Sequence, residues 1–121
     1  MAKDRMDLWL NDTQGNNIEV IISNNDAMAI GALALLKEHH KKLPIFSVDA
    51  LPRVLRFVKS GDITGTVLND GVTQSRVLVK LARDLAQGKP MNKGADWTLE
   101  NNSIRTPDIA IDQDNIDKFL K

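Results

Sequence analysis

The sequence predicts an α/β fold in which a parallel sheet is flanked by helices. The apolar run from Ile18 to Ile22 is typical of a buried strand, and the short polar residues 23–26 end it. A helical pattern begins directly afterwards, at Ala27. Such strand and helix patterns then alternate along the chain, and a strand that leads straight into a helix is half of a βαβ unit.

Apolar periodicity and turn residues define the expected elements. Helices are expected over residues 2–10, 27–40, 51–59 and 72–86, and a last one from 112 to about 120. Strands are expected over residues 18–22, 44–48, 63–68, 97–99, 103–106 and 109–111. The near-continuous apolar pattern of the first strand favours burial on both faces.

Caps and buried faces can be assigned to these helices. Asn25 or Asp26 is expected to cap helix 27–40, and Asp49 to cap the following helix. Gly61 lies where a left-handed C-terminal cap belongs. The side chains expected to face the interior include Met6, Trp9, Leu10, Met28, Val77, Leu81 and Leu85.

Composition excludes several classes of function. The 121 residues suit one domain and carry 16 basic and 16 acidic side chains, so the formal net charge of zero argues against a nucleic-acid partner. The absence of cysteine excludes disulfides and thiolate chemistry. No apolar stretch is long enough to span a bilayer, and residues 1–5 contain no apolar region of the kind a signal peptide has.

Polar side chains end three consecutive predicted strands. Asn25 and Asp26 follow the first strand, Asp49 the second, and Asn69 and Asp70 the third. Ligands of open α/β sheets bind outside the carboxyl ends of the strands. The pattern therefore predicts a cluster of amides and carboxylates at one edge of the sheet.

Three motifs in register give the chain a resemblance to a known family. They are 18–31 (IEVIISNNDAMAIG), 48–52 (VDALP) with 58–61 (VKSG), and 65–70 (GTVLND). Together they resemble the C-terminal part of the type I periplasmic sugar-binding proteins that bind glucose and galactose. The resemblance covers nearly the whole chain and implies a lobe of the periplasmic-binding-protein type, with a segment that crosses the hinge.

The resemblance implies that Asn25, Asp49 and Asn69 contact a monosaccharide. A carboxylate accepts two hydroxyl hydrogen bonds in their stronger, charge-assisted form, and an amide both donates and accepts as a hydroxyl does. The sequence leaves glucose and galactose open. It also leaves open that the three residues serve as helix caps and nothing more.

The family pattern also implies how the chain is divided. Residues 1–69 would supply βα units of the C-terminal lobe, 70–104 would belong to the N-terminal lobe, and 105–121 would return to the first. The leading part of the N-terminal lobe, its stacking aromatic residue and the calcium loop are expected to be missing. Glu19 alone matches a calcium ligand, and one carboxylate cannot replace six or more oxygens, so no cofactor is expected.

The function expected on this basis is sugar binding without catalysis, in a truncated member of an ABC-type uptake system. The implied partners are a monosaccharide and a membrane permease, and the implied location is the periplasm. A homo-oligomer is also expected, formed by exchange of the segment 72–104, whose apolar helix face would lack its usual partner. The alternative function is an assembly-forming remnant that no longer binds sugar.

Other functions have less support in the sequence. His39 and His40 are expected on a solvated face, and residues 112–115 resemble a helix start more than a calcium loop. Glycoside hydrolysis by Asp26 and Asp49 can be imagined, but no nucleophile triad or phosphate loop accompanies them. Effector domains of lactose-repressor-type regulators share the family fold, but the chain contains no helix-turn-helix segment. Trp9 and Trp97 are expected in the core or an interface.

Overall fold

The computed structural model describes residues 2–89, 98–101 and 103–120. The helices in this part of the chain are α1 (Ala2–Asn11), α2 (Asp26–Glu38), α3 (Pro52–Ser60) and α4 (Gly71–Ala86). The strands are β1 (Ile21–Ile22), β2 (Ile45–Val48), β3 (Gly65–Leu68), β4 (Thr98–Glu100), β5 (Ser103–Arg105) and β6 (Ile109–Ile111). The predicted alternation of strands and helices is confirmed.

A mostly parallel sheet forms the centre of the fold. Its strand order is β1-β2-β3-β6, and β2 pairs in parallel with both β1 and β3. Because β1, β2 and β3 run in the same direction, their carboxyl ends lie along one edge. Strands β4 and β5 form a separate antiparallel pair.

The chain divides into two compact units. The first comprises Met1–Leu68 and Ala110–Lys121, and the second comprises Asn69–Ile109. The first unit holds helices α1 to α3 and the parallel strands, and the second holds α4 and the β4-β5 pair. No helix among the described residues is long and apolar enough to cross a membrane.

Helices α1, α2 and α3 share one apolar core with the sheet. Alternate strand positions contribute to it, as shown by Ile45 of β2, which is fully buried. The core also contains Met6, Leu10, Ile21, Ala29, Ala32, Leu33, Leu35, Leu36, Val54, Leu55, Val58, Ile63, Ile111 and Ile116. Helix α3 ends at Gly61, whose φ of 76° confirms the predicted left-handed cap.

Several predicted burials are wrong, and most of them fall beside β1. That strand is shorter than expected and lies at the end of the sheet, so Ile22 is 79% exposed instead of buried on both faces. Trp9 and Met28 are likewise exposed rather than in the core. In the second unit Leu85 is exposed, whereas Val77 is buried as predicted.

The predicted final helix is also wrong. A single 3₁₀ turn at Ile116–Lys118 takes its place. The side chain of Asn115 does not cap this turn. Its oxygen instead accepts from the preceding backbone N–H of Asp112 at 3.1 Å. Ile116 nevertheless enters the core. Trp97 lies outside the described residues.

Asp26 at the start of α2 joins three elements of the first unit. Its side chain is fully buried. One carboxylate oxygen accepts from the hydroxyls of Ser47 in β2 at 2.5 Å and Thr66 in β3 at 2.9 Å. The other accepts from the backbone N–H of Leu51 at 2.6 Å, directly before α3. The carboxylate therefore links α2 to β2, to β3 and to the start of the next helix.

Replacing Asp26 with Ala should destabilise the first unit strongly. The change leaves two hydroxyls and one N–H without their acceptor, and each unsatisfied buried group costs about 1–3 kcal/mol. We expect Asp26→Ala to lower the free energy of unfolding by about 3 kcal/mol in urea titrations. The control is Asp114→Ala, which alters an exposed carboxylate and should stay within about 0.5 kcal/mol of the parent chain. A loss below about 1 kcal/mol for Asp26→Ala would contradict the structural role assigned to this residue.

Candidate functional site

Asn25 lies in the loop between β1 and α2. Its backbone is extended and its side-chain oxygen accepts from the N–H of Met28 at 2.9 Å, so the predicted helix cap is confirmed. The carbonyl of Asn25 accepts from the hydroxyl of Ser23 at 2.8 Å. Both bonds fix the loop. The side-chain amide N–H₂ of Asn25 makes no hydrogen bond within the described part of the chain and remains available as a donor.

Asp49 follows the carboxyl end of β2 in an unusual backbone conformation. Its φ is 123°, and that of Ala50 is 58°. Positive φ values cost non-glycine residues of the order of 1–3 kcal/mol each and persist where surrounding contacts impose them. Here the N–H of Asp49 donates to the carbonyl of Val67 at 2.9 Å, while Leu51 is held by Asp26.

The Asp49 side chain does not cap α3, contrary to the prediction. Leu51 occupies the cap position, and its N–H is taken up by Asp26. The carboxylate of Asp49 is half-buried and has no hydrogen bond or ion pair to any described residue. The strained turn thus holds a charged acceptor at the sheet edge that its neighbours do not use.

Asn69 and Asp70 follow β3 directly and begin the second unit. The Asn69 side-chain oxygen accepts from Gln74 Nε2 at 2.5 Å. Asp70 caps α4, accepting from the backbone N–H groups of Val72 and Thr73 and from the Thr73 hydroxyl. The hydrogen bond from that hydroxyl is the main reason that the pKa of Asp70 lies below its ordinary value, with the two N–H groups adding to it.

The structure brings two of the three predicted contact residues to one edge. Asn25 and Asp49 follow the neighbouring strands β1 and β2 at their carboxyl ends, in the same unit. Asn69 is joined to the last residue of β3 and belongs to the other unit. Helix capping explains the position of the Asn25 side-chain oxygen. It does not explain the position of the Asp49 carboxylate, which caps no helix.

The described residues contain no group of three or more His, Cys, Asp or Glu side chains placed to hold a metal ion. Glu19, the residue that matches a calcium ligand, is exposed and precedes β1. It therefore lies at the amino end of the strand, away from Asn25 and Asp49. His39 is near Asp7, with 3.5 Å between Nε2 and the carboxylate.

The sequence reasoning missed the role of Asp26, for which a signal existed. Ser47 and Thr66 interrupt otherwise apolar strands, and both are buried. The register pairs Ser47 directly with Thr66, so two hydroxyls stand side by side on the inner face. Buried hydroxyls need hydrogen-bond partners, and Asp26 accepts from both of these.

The cap of α4 should weaken in acid. Because the folded state lowers the pKa of Asp70, ionised Asp70 stabilises the helix above the ordinary value of 3.8, and this contribution disappears as the pH falls through the lowered value. We expect the protection factors of the α4 amides against hydrogen exchange to fall over that range. Asp70→Asn keeps a capping oxygen without its charge and should show a weaker pH dependence. Equal dependence in both chains would contradict this role.

Comparisons with known proteins agree with this architecture. The family model described as periplasmic binding protein domain matches residues 1–90. The chain is 52% identical over 121 residues to the D-galactose/methyl-galactoside binding periplasmic protein of Haemophilus influenzae, covering 100% of this chain and 37% of that one. It is 33% identical to a xylitol-binding protein of Mycolicibacterium smegmatis, covering 99% and 32% of the two chains. The chain thus spans about a third of the length of these curated relatives.

Solved structures show the same fold. A periplasmic solute-binding protein from Actinobacillus succinogenes with bound D-allose matches with a TM-score of 0.82 at 18% identity, over 97% of this chain and 38% of that one. A solute-binding protein from Bacillus halodurans with bound myo-inositol matches with a TM-score of 0.80 at 27% identity, over 98% and 38%. The relatives named here are described as binding proteins rather than enzymes. With the family model matching most of its length, the chain belongs to the periplasmic binding protein family.

Proposed function

We propose that this chain contributes one wall of a monosaccharide-binding site, formed by Asn25, Asp49 and Asn69, and that it binds sugar without chemical turnover. The proposal extends to galactose as a ligand, because a relative 52% identical over the whole chain is described as binding D-galactose. Glucose is included as the second ligand that the resemblance of the sequence motifs implies. It also includes a periplasmic location and delivery of the sugar to a membrane permease.

The observation that carries the proposal is the state of Asp49. Backbone strain is imposed there by hydrogen bonds from both sides, and the carboxylate so placed has no partner among the described residues. Strain that is maintained around an unused charged group supports a role in binding rather than in folding. A carboxylate in this position can accept hydrogen bonds from two neighbouring sugar hydroxyls.

The side-chain amide of Asn25 complements the carboxylate of Asp49 in recognising a hydroxyl. Asn25 has its oxygen committed to the helix cap, so it would act toward a sugar as a donor through its N–H₂ group. Together with the Asp49 acceptor, this provides both polarities that a hydroxyl can use. A sugar lacking the matching hydroxyl would leave one group buried and unpaired, which weakens binding.

The proposal also assigns the chain to two lobes of the complete protein. Residues 1–69 and 105–121 would form the wall that bears Asn25, Asp49 and Asn69, and residues 70–104 would belong to the opposing lobe. In proteins with two lobes, closure around the ligand buries it from both sides. The permease would then interact with the closed form of the complete protein.

The alternative is an assembly-forming chain that binds no sugar and exchanges the segment 72–104 between copies. The exposed apolar side chains of α4 support this reading. Leu78 and Val79 are 68% and 71% exposed, and Val72 is exposed too. Exposed apolar groups on one helix favour association with another chain, and exchange of an element is a low-cost way to form dimers.

Calorimetric titration with D-glucose and D-galactose tests the sugar-binding proposal. We expect saturable binding of at least one of them by the parent chain. Asp49→Ala should weaken it at least about tenfold, because a hydrogen bond to a charged group is worth about 1.5–3 kcal/mol. Asp49→Gly should do the same while raising the free energy of unfolding, since glycine accepts the positive φ without strain.

The matched control is Asp114→Ala. This residue lines the same recess as Gly61 and Thr64, which precede β3, so it lies at the opposite edge of the sheet. Its removal should leave sugar affinity unchanged. No heat of binding with either sugar, from a chain that is folded by circular dichroism, would overturn the proposal and favour the assembly-forming alternative.

A further inference from the structure

The side chain of Asn69 is held by a side chain of α4. Gln74 Nε2 donates to the side-chain oxygen of Asn69 at 2.5 Å. The backbone on both sides of this contact is fixed as well. The carbonyl of Asn69 accepts from the N–H of Gly71 at 2.9 Å, and the N–H of Gln74 donates to the carbonyl of Asp70 at 3.0 Å. The hydrogen bond between the two side chains therefore closes a turn that is already ordered.

This contact decides which polarity Asn69 offers to a ligand. A side-chain amide has an oxygen that accepts hydrogen bonds and an N–H₂ group that donates them. The oxygen of Asn69 is used by Gln74, whereas its N–H₂ group makes no hydrogen bond to any residue that the structure describes. Asn69 is thereby left as a donor.

Asn25 is oriented in the same sense by a different kind of group. Its side-chain oxygen accepts from the backbone N–H of Met28 at 2.9 Å. Every residue except proline supplies that N–H, so the orientation of Asn25 does not depend on a particular side chain. The orientation of Asn69 depends on the residue at position 74, and a substitution there can reverse it.

We propose that Gln74 is a positioning residue of the sugar site, which holds the oxygen of Asn69 so that this amide meets the ligand only as a donor. The inference rests on the proposed function. A sugar hydroxyl has one proton, and in the proposed site the Asp49 carboxylate takes the protons of the hydroxyls that it binds. Such a hydroxyl meets Asn69 through a lone pair and requires a donor there.

Gln74→Glu reverses the polarity of this contact with almost no change of shape. The introduced carboxylate is ionised at neutral pH and only accepts, so the Asn69 amide must turn and donate its N–H₂ group to it. The ligand then meets the oxygen of Asn69. Its hydroxyl faces two acceptors with one proton, and one of them stays unpaired. We expect the dissociation constant for the sugar that the parent chain binds to rise at least about tenfold in calorimetric titrations.

Two further substitutions separate polarity from the loss of a contact. Gln74→Ala leaves Asn69 free to take either orientation and should weaken binding only about two- to fivefold, because the amide must be ordered by the ligand. Water already competes for the native bond, since both side chains are exposed. Gln74→Lys retains a donor and should stay within about threefold of the parent. A residue that serves only the helix would give another order, because Glu, Gln, Lys and Ala are all good helix formers.

The matched control for the added charge is Ser75→Glu. Ser75 lines a recess with Val79 and Arg83 and is the neighbour of Gln74 in the chain, so it lies on another side of α4. This variant should bind sugar within about twofold of the parent. The double variant Asn69→Ala, Gln74→Glu should bind as Asn69→Ala does, within about twofold, because Gln74 acts on the ligand through Asn69.

The nuclear magnetic resonance signals of the Gln74 side chain test the hydrogen bond without any ligand. Asn69→Ala should move the Gln74 N–H₂ proton resonances upfield, because a hydrogen bond to an amide proton shifts its resonance downfield. Unchanged resonances would overturn the inference, as would sugar binding that Gln74→Glu weakens no more than Gln74→Ala does. Both results leave the proposed function intact. A folded parent chain that binds neither sugar overturns the proposed function itself, and this inference with it.

Discussion

The first unit depends on one buried carboxylate. Asp26 has no solvent exposure, and a polar group there requires hydrogen bonds to offset the loss of hydration. It receives three, from β2, from β3 and from the backbone before α3. These bonds fix the start of α2 against both strands. They also fix the position at which the chain leaves β2, which is where Asp49 is found.

Structure and proposed function are linked through the loop 49–51. Its strain is confined between the end of β2 and the first turn of α3, and its two ends are held by the Val67 carbonyl and by Asp26. A flexible loop would lose conformational freedom on binding a ligand, which reduces affinity. A loop already held in one conformation avoids that loss. The same bonds that stabilise the fold would therefore prepare a binding group.

Much of the fold could be predicted from the sequence because apolar periodicity and caps are local signals. The βα alternation, a cap of α2 at Asn25 or Asp26, and the left-handed Gly61 follow from neighbouring residues alone. The exposure of Trp9, Met28 and Ile22 could not be predicted, since it depends on which elements stand beside β1. The sequence predicts Asp49 at the start of the following helix, whereas Asp26 is the residue that accepts from the Leu51 N–H, because that contact depends on how α2 packs beside β2 and β3.

The crystal structure of an Asp26→Ala variant, compared with that of the parent chain, tests this account most directly. If Asp26 imposes the strained turn, Asp49 and Ala50 should relax to negative φ in the variant, and the Leu51 N–H should turn toward solvent or another acceptor. Retention of φ near 123° and 58° at these two residues, with β2 and β3 unmoved, would contradict the claim that this carboxylate holds the loop.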